Sequence, residues 1–160
     1  MNMVNLMEQA IILAQNDFNL KKRYDFKNIE IIREFQPDIP LVHCEKNKIQ
    51  QVVFNILKNA SEAMGEFPSD KNPRIILRLH ADAVQVCMEI EDNGPGMDEE
   101  TRKRIFDPFF TTKPVDQGTG LGLSVSYFII TEEHGGTIKV DAAEGLWTRF
   151  VICLPLGIHG

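Results

Sequence analysis

Three groups of residues in this 160-residue chain could do chemistry. The first is a run of alternating glycines, Gly118, Gly120 and Gly122, that leads into Leu121, Val125, Phe128 and Ile129 at helical spacing. A glycine loop feeding a helix leaves backbone N–H groups unpaired at the positive end of the helix dipole, where the phosphates of a nucleotide would be held. The alternative is a plain flexible loop. The spacing matches neither G-x-G-x-x-G after a strand nor G-x-x-x-x-G-K-[ST], so a nucleotide site here would follow neither of those designs. The second group is Gln51, Asn55, Asn59 and Glu62, at i, i+4, i+8 and i+11 along one edge of a helix. Asparagine is a mediocre helix former. The stripe is therefore either a solvated polar edge or a set of neutral oxygens suited to Mg²⁺, which takes one or two protein oxygens and keeps most of its waters. The third is Asp92. Val84, Val86, Met88, Ile90 and Asp92 share one side of a strand, so the core-facing row ends in a carboxylate. Asn93-Gly-Pro-Gly96 follows, with glycines that let backbone come close to a ligand. A half-buried carboxylate needs hydrogen-bond donors, and the exocyclic amine of adenine is one. Alternatively Asp92 only starts a turn.

These groups need elements to position them. Met3, Leu6, Met7, Ala10, Leu13 and Ala14 form the stripe of a first helix, which either begins the domain or is the tail of a helix from a preceding one. Strands are expected over 28–35 and, after Pro37 and Pro40, over Leu41–Cys44 with His43 as a strand residue. Lys46 to Met64 is the strongest helix, with Ile49, Val52, Val53, Ile56, Leu57, Ala60, Ala63 and Met64 on its apolar face and Gly65 at its end. Residues 74–81 and 84–92 read as a hairpin turning at Ala81-Asp82-Ala83. Asp98 caps a short helix carrying Ile105 and Phe106. The irregular stretch from Asp107 to Gly118 is long enough for a lid. A helix from Leu121 to about Glu133 ends at His134, which complements its dipole, and strands 137–141 and 147–154 close the sheet. Thr148 shares parity with Phe150, Ile152 and Leu154, so its hydroxyl faces inward.

Bulk properties narrow the class. With 43% hydrophobic and 25% charged residues the chain reads as one soluble globular domain, residues 1–160. No apolar run is long enough to span a bilayer, and the N-terminus lacks a signal-peptide layout. A net charge of −6 argues against a nucleic-acid footprint. Cys44, Cys87 and Cys153 each lie in or beside an apolar strand-like segment and read as reduced core residues of a cytoplasmic protein, neither disulfides nor metal ligands. The four histidines show no metal-ligand spacing.

Taken together, four motifs in order resemble the ATP-binding catalytic domain of sensor histidine kinases, within the gyrase, Hsp90 and MutL superfamily. Asn55-Ile-Leu-Lys-Asn-Ala-Ser-Glu-Ala-Met64 is similar to that family's N box. Asp92-Asn-Gly-Pro-Gly-Met97 is similar to its first glycine box, Phe106-Asp-Pro-Phe-Phe-Thr-Thr-Lys113 to its F box, and Gly118-Thr-Gly-Leu-Gly-Leu123 to its second glycine box. Glu-Ala-Met together with Phe-Phe-Thr-Thr-Lys resembles the nitrogen-regulator branch. The resemblance covers about Asn28 to Leu156. It implies an α/β two-layer sandwich, a mixed, mostly antiparallel sheet with three main helices on one face. It further implies that Asp92 accepts the adenine amine beside Thr148, that Asn59 ligates Mg²⁺, and that Asn55 and Lys58 reach the phosphates. Gly94, Gly96 and Met97 of the first glycine box would bind ATP as well. Lys113 would come from the lid, and Gly118, Thr119, Gly120, Leu121 and Gly122 would hold the phosphate tail. ATP and Mg²⁺ are the implied cofactors. In such kinases the accepting histidine lies on a separate helical-hairpin dimerisation domain. His43, His80, His134 and His159 lack the H-E-x-x-[NT]-P context, so no base or phosphoacceptor is assigned in this chain. That domain of the same parent protein, of which residues 1–16 would be a remnant, and a downstream response regulator are the expected partners. The expected location is the cytoplasm, whether the parent is soluble or a membrane receptor. Self-contained ATPases of the gyrase and MutL type carry Glu where this chain has Asn55, and an amide cannot deprotonate water. This favours transfer over hydrolysis. An anti-sigma-type Ser kinase or a nucleotide-binding module without chemistry shares the same boxes and remains the alternative. Two departures stand out: Trp147 precedes Thr148 where the family usually carries Gly, and the F box has Thr111-Thr112-Lys113 where another branch has an Arg that contacts the phosphate, a job not assigned to Thr111.

Overall fold

The computed structural model describes residues 1–17, 26–66, 72–110 and 122–156. Among these residues the elements follow in the order α1 (Met3–Asn16), a 3-10 turn (Phe26–Asn28), β1 (Glu30–Phe35), α2 (Lys46–Glu66), β2 (Arg74–Ala81), β3 (Gln85–Asp92), α3 (Glu99–Arg104), α4 (Gly122–Phe128), a π turn (Ile129–Glu133), β4 (Thr137–Ala143) and β5 (Trp147–Pro155). One five-stranded sheet has the order β1-β2-β3-β5-β4. Only β1 and β2 run parallel; the other pairs are antiparallel. The expected mixed, mostly antiparallel architecture is therefore observed.

Period-two alternation sorts the strands into two faces. Ile75, Leu77, Leu79, Val86, Met88, Ile90, Ile138, Val140, Phe150, Ile152 and Leu154 are buried in a single cluster with the inner sides of α1 and α2. The opposite face carries Arg78, which binds Glu34, Glu89 and Glu91, and Arg149, which reaches Glu91 and Asp141. Helices therefore cover one face and a charged lattice coats the other. The buried residues of α1 are Met3, Leu6, Met7, Ala10, Ile11 and Ala14. Ile11 replaces Leu13 in the expected stripe, and Leu13 is exposed, because the helix turns the 3-7-11-14 row onto α2. Arg33 binds Glu8 of α1 at 2.7 Å, tying the sheet edge to the helical layer.

Three further expectations need correction. Residues 41–44 form no strand: Val42 exchanges backbone hydrogen bonds only with Met1, too little for a ladder, and His43 is exposed on that irregular run. The helix leading to His134 does not stay α-helical, since it widens into the π turn after Phe128. Finally, Cys87 and Cys153 are not separate reduced residues. They are register partners on β3 and β5 and form a disulfide across 66 residues of chain, with Cα atoms 4.1 Å apart. Linear sequence could not reveal that pairing, because it follows from β5 being inserted beside β3. Cys44 is free.

Closing so long a loop restricts the unfolded chain. Reducing the Cys87–Cys153 bond should therefore lower stability by about 4 kcal/mol, read as a shift in the urea midpoint with and without reductant at constant slope.

Candidate functional site

The adenine-type features sit at one end of β3 and β5. Asp92 and Thr148 are cross-strand register partners, each 6% exposed, so two polar side chains break an otherwise apolar inner face at the same level of the sheet. Burial pushes the Asp92 carboxyl up to about 7. A hydrogen bond from the Gly94 N–H to Oδ1, 2.9 Å, opposes that shift, and the nearby charge of Glu91 adds to it.

The loop after Asp92 is shaped by its neighbours. A Cβ on Gly94 would lie 2.8 Å from Asp92 Oδ1 and 3.1 Å from Met64 Cγ, so a side chain there would close the space above the carboxylate. Gly96 has φ +66, and a Cβ on it would come within 2.2 Å of the Ala143 carbonyl oxygen. The loop is thus wedged against the β4–β5 turn, where the Gly145 N–H also bonds the Pro95 carbonyl at 2.6 Å. Met97 is partly buried against the core. Asn93 anchors the other side: its Oδ1 accepts from the Arg74 N–H and its Nδ2 donates to the Asn72 carbonyl, both at 2.8 Å. Trp147, one of the departures noted in the sequence, belongs to the outward row of β5 and stacks under the Arg149 guanidinium, 4.9 Å from its ring centroid. Its indole therefore does not intrude on Asp92.

Helix α2 runs from this loop to the other candidate residues. Met64 touches the Gly94 position, and a rise of roughly 1.5 Å per residue puts Asn55 about 13 Å further along the axis. There Asn55 meets α4: its Nδ2 donates to Ser126 Oγ at 3.5 Å and lies 4.0 Å from where a Gly122 Cβ would be. Ser126 is fully buried and donates to the Gly122 carbonyl at 2.8 Å, fixing the hydroxyl that Asn55 contacts. Because Nδ2 is turned to Ser126, the Asn55 carbonyl oxygen faces the other way. Asn59, one turn nearer Asp92, and Lys58 are both half-buried. The polar stripe is not uniform, though: Gln51 is exposed and Glu62 is only 2% exposed.

Asn55, Lys58, Asn59, Asp92, Gly94, Gly96, Met97, Gly122 and Thr148 thus lie along α2, at its partner α4, or at the β3–β5 end. Lys113, Gly118, Thr119, Gly120 and Leu121 lie outside the described residues, as does the lid beyond Phe110. Sequence reasoning missed Met64 as a wall of the carboxylate pocket, Asn93 as its anchor and Ser126 as the partner of Asn55. Of these only Ser126 left a signal, a hydroxyl four residues after Gly122 at the start of an apolar helix. Among the described residues there is no cluster of His, Cys, Asp and Glu able to hold a metal and no helix long and apolar enough to cross a membrane. A Mg²⁺ ion takes only one or two protein oxygens, so it would not need such a cluster. The half-buried amides of Asn55 and Asn59 suit that role.

Residues 44–158 match the sequence model described as histidine kinase-, DNA gyrase B- and HSP90-like ATPase. The chain belongs to that family. It is 42% identical over 155 residues to sporulation kinase E of Bacillus subtilis, covering 97% of this chain and 19% of that protein. It is 32% identical to the sensory histidine kinase/phosphatase NtrB of Rhizobium leguminosarum, covering 96% of this chain and 40% of that one. The chain thus spans well under half the length of these relatives. Among solved structures it superposes on the catalytic domain of histidine kinase ThkA with a TM-score of 0.79 at 33% identity, covering 98% of this chain and 93% of that domain. The domain is the ATPase catalytic domain of the sensor kinases, and the likeness to NtrB agrees with the nitrogen-regulator character of its motifs.

The buried carboxylate gives a test that needs no ligand. A raised acid means the folded state holds the proton more tightly than the unfolded chain. Stability of the free domain should therefore fall as pH rises from about 4 through about 7, by a few kcal/mol, and level off above. In Asp92→Asn that slope should vanish, as followed by urea unfolding across the pH range.

Proposed function

We propose that the domain binds Mg-ATP in the groove bordered by α2, with adenine at Asp92 and Thr148 and the polyphosphate at Asn55, Lys58, Asn59 and the second glycine segment. It then delivers the γ-phosphate to a histidine on another domain of the same parent protein. The observation that carries this reading is α2 itself, which meets the buried carboxylate's loop at Met64 and the Gly122 end of α4 at Asn55. An extended nucleoside triphosphate presents a hydrogen-bond donor at one end and anionic oxygens at the other. Two polar stations on one rigid helix axis suit such a ligand.

The residues divide the task. Asp92, ionised, accepts from the exocyclic amine, and the ligand's donor offsets the desolvation that raises its pKa. Thr148 adds a hydroxyl at the same level. Asn59 and Asn55 offer amide oxygens toward a Mg²⁺ ion, which when bound neutralises phosphate charge. Lys58 adds a positive charge one turn from Asn55. Asn55 cannot take a proton from water, so the γ-phosphate is kept for transfer. The helical acceptor domain has surface to bury on α4, where Val125 and Phe128, one turn apart, are 44% and 54% exposed. A response regulator is the downstream partner in this reading, supported by the solved complex of histidine kinase ThkA with response regulator protein TrrA, 29% identical to this chain. The cytoplasm is where ATP and such a regulator would be met.

The direct experiment supplies the domain with a phosphoacceptor hairpin and labelled ATP. Acid-labile label on the hairpin supports the reading; label on serine, or hydrolysis alone, contradicts it. Two substitutions should separate the two ends of the groove. Asp92→Asn should weaken ATP and ADP alike by about 1–3 kcal/mol, the cost of mispairing a buried polar contact. Asn59→Ala should abolish Mg²⁺-dependent transfer while changing Mg²⁺-free ADP affinity little. Calorimetry with and without Mg²⁺ distinguishes these outcomes.

A further inference from the structure

We propose that His134 is a positioning residue for the polyphosphate end of the groove. The proposal rests on the nucleotide reading above and assigns His134 no contact with the ligand. Helix α2 carries Asn55 and Asn59, and α4 with its π turn forms the wall opposite Asn55. The seam between these two helical segments has polar ties near the site, Asn55 to Ser126, and at its far end. There Lys48 pairs with Glu133, and His134 bridges the two segments through both ring nitrogens.

The bridge fixes the tautomer. His134 Nδ1 lies 2.8 Å from the Ile129 carbonyl oxygen and so must carry the proton. Nε2 lies 3.1 Å from the Glu45 nitrogen, whose N–H donates to it, so Nε2 is bare. Glu45 is the residue from which α2 springs, because its carbonyl accepts the Ile49 N–H. Its own N–H is one of the donors that a helix start leaves without an intrahelical partner. That donor is satisfied by a ring 89 positions away in the chain, at the end of the opposite segment. The widened turn over Ile129–Glu133 brings both Glu133 and His134 to the first turn of α2.

Pinned at both ends, the seam sets the spacing between Asn55 and Gly122. The carboxylate end is held differently, by the β3–β5 ladder that pairs Asp92 with Thr148. Loss of the His134 bridge should therefore loosen the grip on phosphates and leave the grip on the base intact. A residue that merely supported the fold would affect both.

The test compares ATP with AMP, each with Mg²⁺, on the whole domain by calorimetry. His134→Ala should weaken ATP about tenfold, in keeping with one lost hydrogen-bonded strut, with AMP affinity unchanged. His134→Gln, which keeps one acceptor and one donor, should recover most of the ATP affinity. Lys48→Ala loosens the same seam without touching the ring and should show the same ATP-selective loss, so a poorly folding His134→Ala leaves the idea open to refutation. Equal losses for ATP and AMP, no loss for either, or failure of the glutamine to rescue would overturn the role of His134. Wild-type protein that binds neither nucleotide would instead overturn the nucleotide reading, and this one with it.

Discussion

A carboxylate occupies the last inward position of a central strand, where the apolar row would otherwise continue. Asp92 is almost fully buried, receives one backbone hydrogen bond from Gly94, and has its proton affinity raised by the surrounding apolar matter. Such a group is a standing cost to the free fold unless something brings donors to it. The features around it follow from that constraint. Gly94 leaves open the space beside Oδ1, Gly96 lets the loop pack against the β4–β5 turn, and Thr148 puts a second polar group at the same level. A buried ionisable group with a raised proton affinity is the kind of feature that marks a functional site, and a donor-bearing flat ring is the ligand the proposed reading gives it.

In the proposed reading, α2 is what would make the carboxylate part of a larger site. It is amphipathic in two senses: one face is core, and the edge beside it carries amides. Because it is rigid, its contact with Gly94 at Met64 and its contact with α4 at Asn55 have a fixed separation. The sheet holds one end and the helix–helix seam holds the other. The charged lattice on the far face, with Arg78 among Glu34, Glu89 and Glu91, touches the site only through the charge of Glu91 on Asp92. Its half-exposed pairs contribute little to stability individually, but they keep that face in water and leave the helical face for the site.

Much of this was legible before the fold was known, and for physical reasons. Strand parity alone placed Asp92 and Thr148 inward, since a period of two admits no other side once their apolar neighbours are buried. Helical spacing alone placed Asn55 and Asn59 on one edge. Neither rule speaks to contacts between distant segments. The Cys87–Cys153 bond depends on sheet order, and sheet order depends on where β5 inserts. His134 read as a helix-end residue because it follows the last helical turn; its partner Ile129 is local, but its second partner, Glu45, is not, and spacing could not reveal it. Leu41–Cys44 looked like a strand because its residues favour extension, but extended chain becomes a strand only with a neighbour to pair with.

The central claim is that one ligand bridges both ends of α2, and amide spectroscopy tests it most directly. In a titration of the isotopically labelled domain with a non-hydrolysable Mg-ATP analogue, the Gly94 backbone amide and the Asn55 and Asn59 side-chain amides should all shift. They should do so along one binding curve with one dissociation constant. Shifts confined to one end, or two ends following different constants, would contradict the account.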